Sequence, residues 1–167
     1  CSRWFNCSHF EREARAWRHQ FTCWRNDSRF ARMAQRWSSL TQYLDSSAIL
    51  KFILPEIESP TLHKYLAPVV FTSTLARVEV SRALAKIGEF KQTSVTRLLS
   101  SFLLVPISNQ VVEIAESSNF GSSLKTLDSI HLASAIFLKA AVDEVITYDA
   151  QMIRACQIFG IRTVSPS

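Results

Sequence analysis

Four carboxylates define the chemistry open to this chain: Asp45, Glu79, Asp128 and Asp149. Asp45 directly follows Tyr43-Leu44, and Asp149 follows the apolar run Val145-Ile146-Thr147-Tyr148. Each acid has an ordinary explanation. Aspartate favours turns and helix starts, and Asp149 before Ala150-Gln151-Met152 would serve as a cap. Asp128 lies in the first turn of an apolar helix, where the helix dipole favours negative charge. Glu79 can pair with Arg82, three residues on, for about 0.2–0.5 kcal/mol. The other reading is that the four converge. Carboxylates within ~4 Å of each other repel by a few kcal/mol per pair at an effective dielectric near ~20. Such a cluster persists only around a cation, or with a proton held at raised pKa. An all-oxygen donor set without clustered His or Cys suits Mg²⁺ or Mn²⁺ and not zinc.

The elements that carry the acids decide between these readings. Regular patterning begins with a strand at 42–44, followed by a helix at 48–54 stopped by Pro55. Ser59-Pro60 opens a helix to residue 66, with serine as cap and proline in the first turn. A strand at 69–72 leads to a helix at 74–87 closed near Gly88. Then come a helix at 93–102, a strand at 104–107, a helix at 109–117 and a polar stretch at 118–123. A helix at 127–140, a strand at 144–147, a helix at 150–159 ending at Gly160 and a strand at 161–164 complete the pattern.

Short apolar strands alternating with helices imply an α/β fold with a parallel sheet covered on both faces. Right-handed crossovers align the strand carboxyl ends along one edge, where such sheets bind ligands. Asp45 and Asp149 both arrive at that edge. Glu79 falls at the border of an apolar arc made by Ala76, Val80, Ala83, Leu84 and Ile87, a position that suits a cleft rim. Asp128 enters a buried layer and needs a partner there. His131, one turn on, is the local candidate and is read as a packing or supporting residue, not a ligand. Ser47 and Thr147 are expected to support the acids by hydrogen bonding.

With 167 residues, 47% of them apolar and three glycines, the chain has the make-up of a globular protein of one domain. No apolar run approaches the ~20 residues of a spanning helix. Charged residues break every early window, so no signal region is legible and a cytoplasmic location is the default expectation. The net charge of +5 resides in residues 1–40, where eight arginines face three acids and lysine is absent. That segment also holds all four tryptophans and three of the four cysteines. Residues 41–167 carry eleven basic and eleven acidic side chains, so the chain divides near residue 40.

Within 1–40, residues 10–17 could form a short helix, and arginine interleaved with tryptophan can stack on RNA bases. Cys7, His9, His19 and Cys23 lack the paired spacing of a zinc knuckle. The favoured expectation is a disordered leader, or upstream sequence included by too early a start, because Met33 lies shortly before the first strand.

The ordered set Asp45 (YLDSSAILK), Glu79 (LARVEVSRAL), Asp128 (LDSIHLASA) and Asp149 (VITYDAQMIRA) resembles the PIN-domain ribonucleases, particularly VapC-type toxins of toxin–antitoxin pairs. The resemblance spans residues 42–166. It implies a PIN-like three-layer α/β/α fold with a central parallel sheet. It also implies a Mg²⁺- or Mn²⁺-dependent endoribonuclease in which Asp45, Glu79, Asp128 and Asp149 are catalytic residues and metal ligands. The partners it implies are structured RNA, a cognate antitoxin and a second copy of the chain. The Arg/Trp/Cys-rich segment is foreign to the family pattern. Because residues 41–167 are electrically neutral, RNA contacts fall to local cations, with Lys51, Arg77, Arg82 and Lys86 as candidates. Two rivals remain: a receiver-like module with Asp45 as phosphate acceptor, and a catalytically silent PIN-like binding partner.

Overall fold

Strand β1 (Thr41–Leu44) lies at the centre of the sheet, flanked on each side by strands from distant parts of the chain. The computed structural model describes residues 40–88, 92–117, 120, 124–139 and 141–167. The leader, RNA-stacking and zinc readings of the first forty residues, Leu40 apart, lie outside the described residues, as does most of the polar stretch at 118–123.

After β1 come α1 (Ser46–Ile53), α2 (Ser59–Tyr65), β2 (Val69–Ser73), α3 (Ala76–Lys86), α4 (Gln92–Leu99) and β3 (Leu103–Val105). The second half contributes α5 (Asn109–Ser117), α6 (Thr126–Phe137), β4 (Glu144–Ile146), α7 (Ala150–Ile158) and β5 (Thr163–Val164). The five strands run in the order β3-β2-β1-β4-β5, every neighbouring pair parallel. Parallel strands are stable where helices cover both faces, and β1 and β2 are buried at every position. On one face Leu44 and Ile146 pack with Ile49, Leu62, Val80 and Leu84, from α1, α2 and α3. On the other, Tyr43 meets α6. The result is the expected three-layer α/β/α arrangement.

From β1 the chain winds outward to β2 and β3, then returns to lay β4 and β5 on the other side. The winding reverses between β1 and β4, the place where sheets of this kind bind ligands at the strand carboxyl ends. A receiver-like domain has the order 2-1-3-4-5, so this topology overturns that rival.

Several boundaries shift for local reasons. Helix α1 starts at Ser46, not at 48, because the Asp45 side chain accepts from the Ser46 amide and its carbonyl from Ala48 and Ile49. Ser59 is not the cap of α2: Glu58 holds that place without a side-chain cap bond. The Ser59 hydroxyl instead lies 2.7 and 2.8 Å from the carbonyls of Lys51 and Leu54. Ile87 leaves the apolar arc of α3 and is 55% exposed. Gly88 and Gly160 follow α3 and α7 with φ of 74° and 62°, the left-handed conformation that glycine adopts most readily after a helix. Among the described residues no helix is long and apolar enough to cross a membrane.

Candidate active site

Asp45 sits where β1 becomes α1 and is 5% exposed. Its Oδ1 accepts from the Ser46 amide at 2.7 Å. Its Oδ2 accepts from Ser47 Oγ at 2.7 Å and from Thr147 Oγ1 at 2.9 Å. Both hydroxyls are those expected to support the acids. Thr147 follows β4, and parallel pairing of Leu44 with Ile146 brings it beside Asp45. The same Thr147 Oγ1 accepts from the Asp149 amide at 3.1 Å, so one hydroxyl ties two acids to the edge.

Asp149 is indeed a cap. Its Oδ1 accepts from the amides of Gln151 and Met152, at 2.7 and 2.9 Å, at the start of α7. That role occupies one carboxylate oxygen; Oδ2 accepts no hydrogen bond among the described residues.

Glu79 does not pair with Arg82. Its Oε2 accepts from Ser46 Oγ at 2.6 Å and lies 2.7 Å from His131 Nε2, joining α3 to α6 over the sheet edge. Burial pushes the Glu79 carboxyl up, but the hydrogen bonds of His131 and then Ser46 outweigh it and leave the pKa below its usual value. His131 is 1% exposed, and its Nδ1 lies 2.9 Å from the Tyr43 hydroxyl. Burial first, and the charge of Asp45 second, hold the Tyr43 phenol well above its ordinary pKa, so it stays protonated.

Asp128, in the first turn of α6, takes no hydrogen bond from the other three acids. Its carboxyl is raised above the usual range by burial, then by the charges of Asp45 and Asp149, with Glu79 adding a smaller push and Lys125 opposing. Asp128 therefore lies within the field of all three. The structure thus links three of the predicted acids by hydrogen bonds at one edge: Ser46 bridges Asp45 to Glu79 and Thr147 bridges Asp45 to Asp149, while the charges of all three act on Asp128 in the first turn of α6. Among the described residues, no three or more His, Cys, Asp or Glu side chains close into a metal-holding group.

One candidate RNA contact is already engaged within the chain. Lys51 Nζ forms ion pairs with Glu56 and Glu58, at 2.5 and 3.0 Å, and lies 4.9 Å from the Tyr148 ring centroid. Two carboxylates already engage its charge. Arg77, Arg82 and Lys86 on α3 are exposed and form no ion pair among the described residues.

Sequence reasoning missed Ser46 and Tyr43. Ser46 had a signal, because the first residue after a strand-end acid shares its turn. Tyr43 had one too, since residues two apart on a strand face the same way.

The family model for the PIN domain matches residues 42–158. Two relatives from Mycobacterium tuberculosis carry the names ribonuclease VapC47 and ribonuclease VapC46. The first is 34% identical over 131 residues, covering 74% of this chain and 96% of the relative. The second is 39% identical over 128 residues, covering 75% and 97%. A solved toxin–antitoxin complex from Klebsiella pneumoniae shares the fold at a TM-score of 0.61 and 21% identity, over 76% of this chain and 98% of that one. With its strand order, its edge of acids and these matches, the chain belongs to the PIN-domain family.

Proposed function

We propose that the protein is a divalent-cation-dependent endoribonuclease and the toxin of a toxin–antitoxin pair, hydrolysing RNA phosphodiester bonds. The observation that carries this is the hydrogen-bonded linkage of Asp45 to Glu79 and Asp149 at the carboxyl ends of β1 and β4, with Asp128 subject to their charge. The ribonuclease names of the relatives support the reaction class, and the toxin–antitoxin complex of the same fold supports a protein partner.

The donor set fits a hard cation. All four side chains are carboxylates, and the pKa of Asp128 is raised first by burial and then by the charges of Asp45 and Asp149, which a cation would offset. Asp45 and Asp128 would be direct ligands, Glu79 would ligate or orient water, and Asp149 would use its free Oδ2. Mg²⁺ or Mn²⁺, when bound, acidifies the attacking water and offsets charge on the phosphate and leaving oxygen.

The chain's own contribution is pre-organisation. Asp45 keeps its direction because three donors hold its two oxygens. Glu79 is held through Oε2 alone, leaving Oε1 without a hydrogen bond among the described residues. Arg77, Arg82 and Lys86 lie on the helix that carries Glu79 and are the candidates to meet RNA phosphates. A cognate antitoxin and a second copy of the chain are the proposed partners.

Mapping RNA ends after brief expression, with Asp45→Asn as control, tests this function. The variant should lose cleavage while keeping its circular dichroism and a cooperative melt, and a chelator should silence the wild type. Full cleavage by Asp45→Asn defeats the assignment. A folded, cation-loaded wild type that binds RNA without cutting it favours the catalytically silent rival.

A further inference from the structure

Behind Glu79 lies a buried chain of polar groups that the nuclease reading leaves unused. Tyr43, at the centre of the sheet, and His131, in the middle of α6, are 0% and 1% exposed. Four short contacts link them: Tyr43 Oη to His131 Nδ1 at 2.9 Å, His131 Nε2 to Glu79 Oε2 at 2.7 Å, Ser46 Oγ to the same Oε2 at 2.6 Å, and Ser46 Oγ to His131 Nε2 at 3.1 Å. We infer that Tyr43 and His131 are positioning residues that fix the Glu79 carboxylate for cation binding. This inference rests on the divalent-cation reading of the site.

The direction of the hydrogen bonds carries the argument. A protonated tyrosine donates to Nδ1, which leaves the imidazole proton on Nε2, facing the carboxylate. Without that donor, Nδ1 is left buried and unpaired, the ring is no longer held at both nitrogens, and the Nε2–H bond to Glu79 is no longer kept in line. Glu79 would then keep Ser46 as a donor, lose the histidine, and swing about its flexible side chain. Groups that orient ligating carboxylates typically change metal affinity by about 10–100-fold when removed. A merely space-filling pair would need neither the phenol proton nor the ring nitrogen.

Calorimetric titration of Mn²⁺ into the metal-free full chain tests this without reference to RNA. Tyr43→Phe keeps the ring and should weaken binding about 10-fold, and His131→Leu by about 10–100-fold. His131→Gln, which can present an amide nitrogen near the place of Nε2, should recover part of the loss. Tyr65→Phe removes a hydroxyl 3.2 Å from Glu144 at the opposite sheet edge and should bind as the wild type does. Wild-type affinity in folded Tyr43→Phe and His131→Leu overturns the inference. Equal weakening in Tyr65→Phe also overturns it, because the loss then follows general destabilisation. If His131→Leu fails to fold, Tyr43→Phe decides alone. A wild type that binds no Mn²⁺ defeats both the nuclease reading and the inference, whereas equal binding by every variant defeats only the inference.

Discussion

Thr147 Oγ1 donates to Asp45 Oδ2 across 2.9 Å, linking the carboxyl ends of β1 and β4 through residues 102 positions apart. Thr147 is fully buried, and the same oxygen receives the Asp149 amide. Thr147→Val keeps the shape but leaves a carboxylate oxygen short of one donor and a backbone amide without its acceptor. The variant should lose about 1–3 kcal/mol of stability. Urea unfolding checks this through a lowered midpoint at unchanged slope. A midpoint equal to that of the wild type would show that the bond contributes nothing.

Asp128 should make the metal-free protein sensitive to pH. Its folded pKa is raised, so ionisation opposes folding. The penalty is absent below the unfolded value of about 3.9, grows as pH rises through the folded value, and is complete near neutrality. Asp128→Asn should therefore melt higher than the wild type at neutral pH without metal, and the gap should close on acidification. Bound cation reverses the ranking. Mn²⁺ at a hundredfold excess over Kd should stabilise the wild type by about 2.7 kcal/mol, and the variant by less. Calorimetric melts with and without Mn²⁺ measure both effects.

At the opposite sheet edge, Gln42 holds a buried acid. Its Nε2 donates to Glu144 Oε1 at 2.9 Å, and its Oε1 accepts from the Ala67 amide at 2.6 Å. Glu144 is itself fully buried, with Arg162 Nε 3.3 Å from its other oxygen. Gln42→Leu would remove a partner from both Glu144 and the Ala67 amide, and should cost about 2–4 kcal/mol. Because the site lies at the other strand ends, RNA cleavage per folded molecule should stay near wild type. Urea titration paired with a cleavage assay separates the two effects.

Cys156 should be inert in the native state. It is fully buried in α7, and burial together with the charge of Asp45 pushes its thiol up to about 12. Iodoacetamide near pH 8 should leave the Cys156 peptide unmodified until urea unfolds the chain, because the thiolate is the reacting species. Peptide mass mapping reads this directly. Rapid native alkylation would mean that α7 opens readily.

Much of this protein is local in origin. Short apolar strands, helix-ending glycines and acids placed just after β1 and β4 made the α/β class and the candidate carboxylates legible, because hydrophobic periodicity and turn chemistry act over a few residues. The asparagine-to-serine span of α5 was readable to the residue for the same reason. Cap roles were readable for Asp45 and Asp149, whose capping amides come from the next three residues.

What Glu79 faces was not readable. Helical periodicity placed it at the border of a buried arc and left two neighbours open, Arg82 on its own helix and whatever lay across the edge. The tertiary structure chose His131, 52 residues away, and Ser46, 33 residues away. Lys51 likewise looked free in sequence until the turn after α1 brought Glu56 and Glu58 to it. The physical reason is common to these cases. Sequence pattern fixes which face of an element is buried, whereas strand order and crossover geometry fix which distant side chain meets it. Asp45, Glu79, Asp128 and Asp149 were therefore legible in the sequence as acids at strand ends, at a helix start and at the border of a buried helix face. Only the placement of β4 beside β1, and of α6 over the sheet edge, made them neighbours.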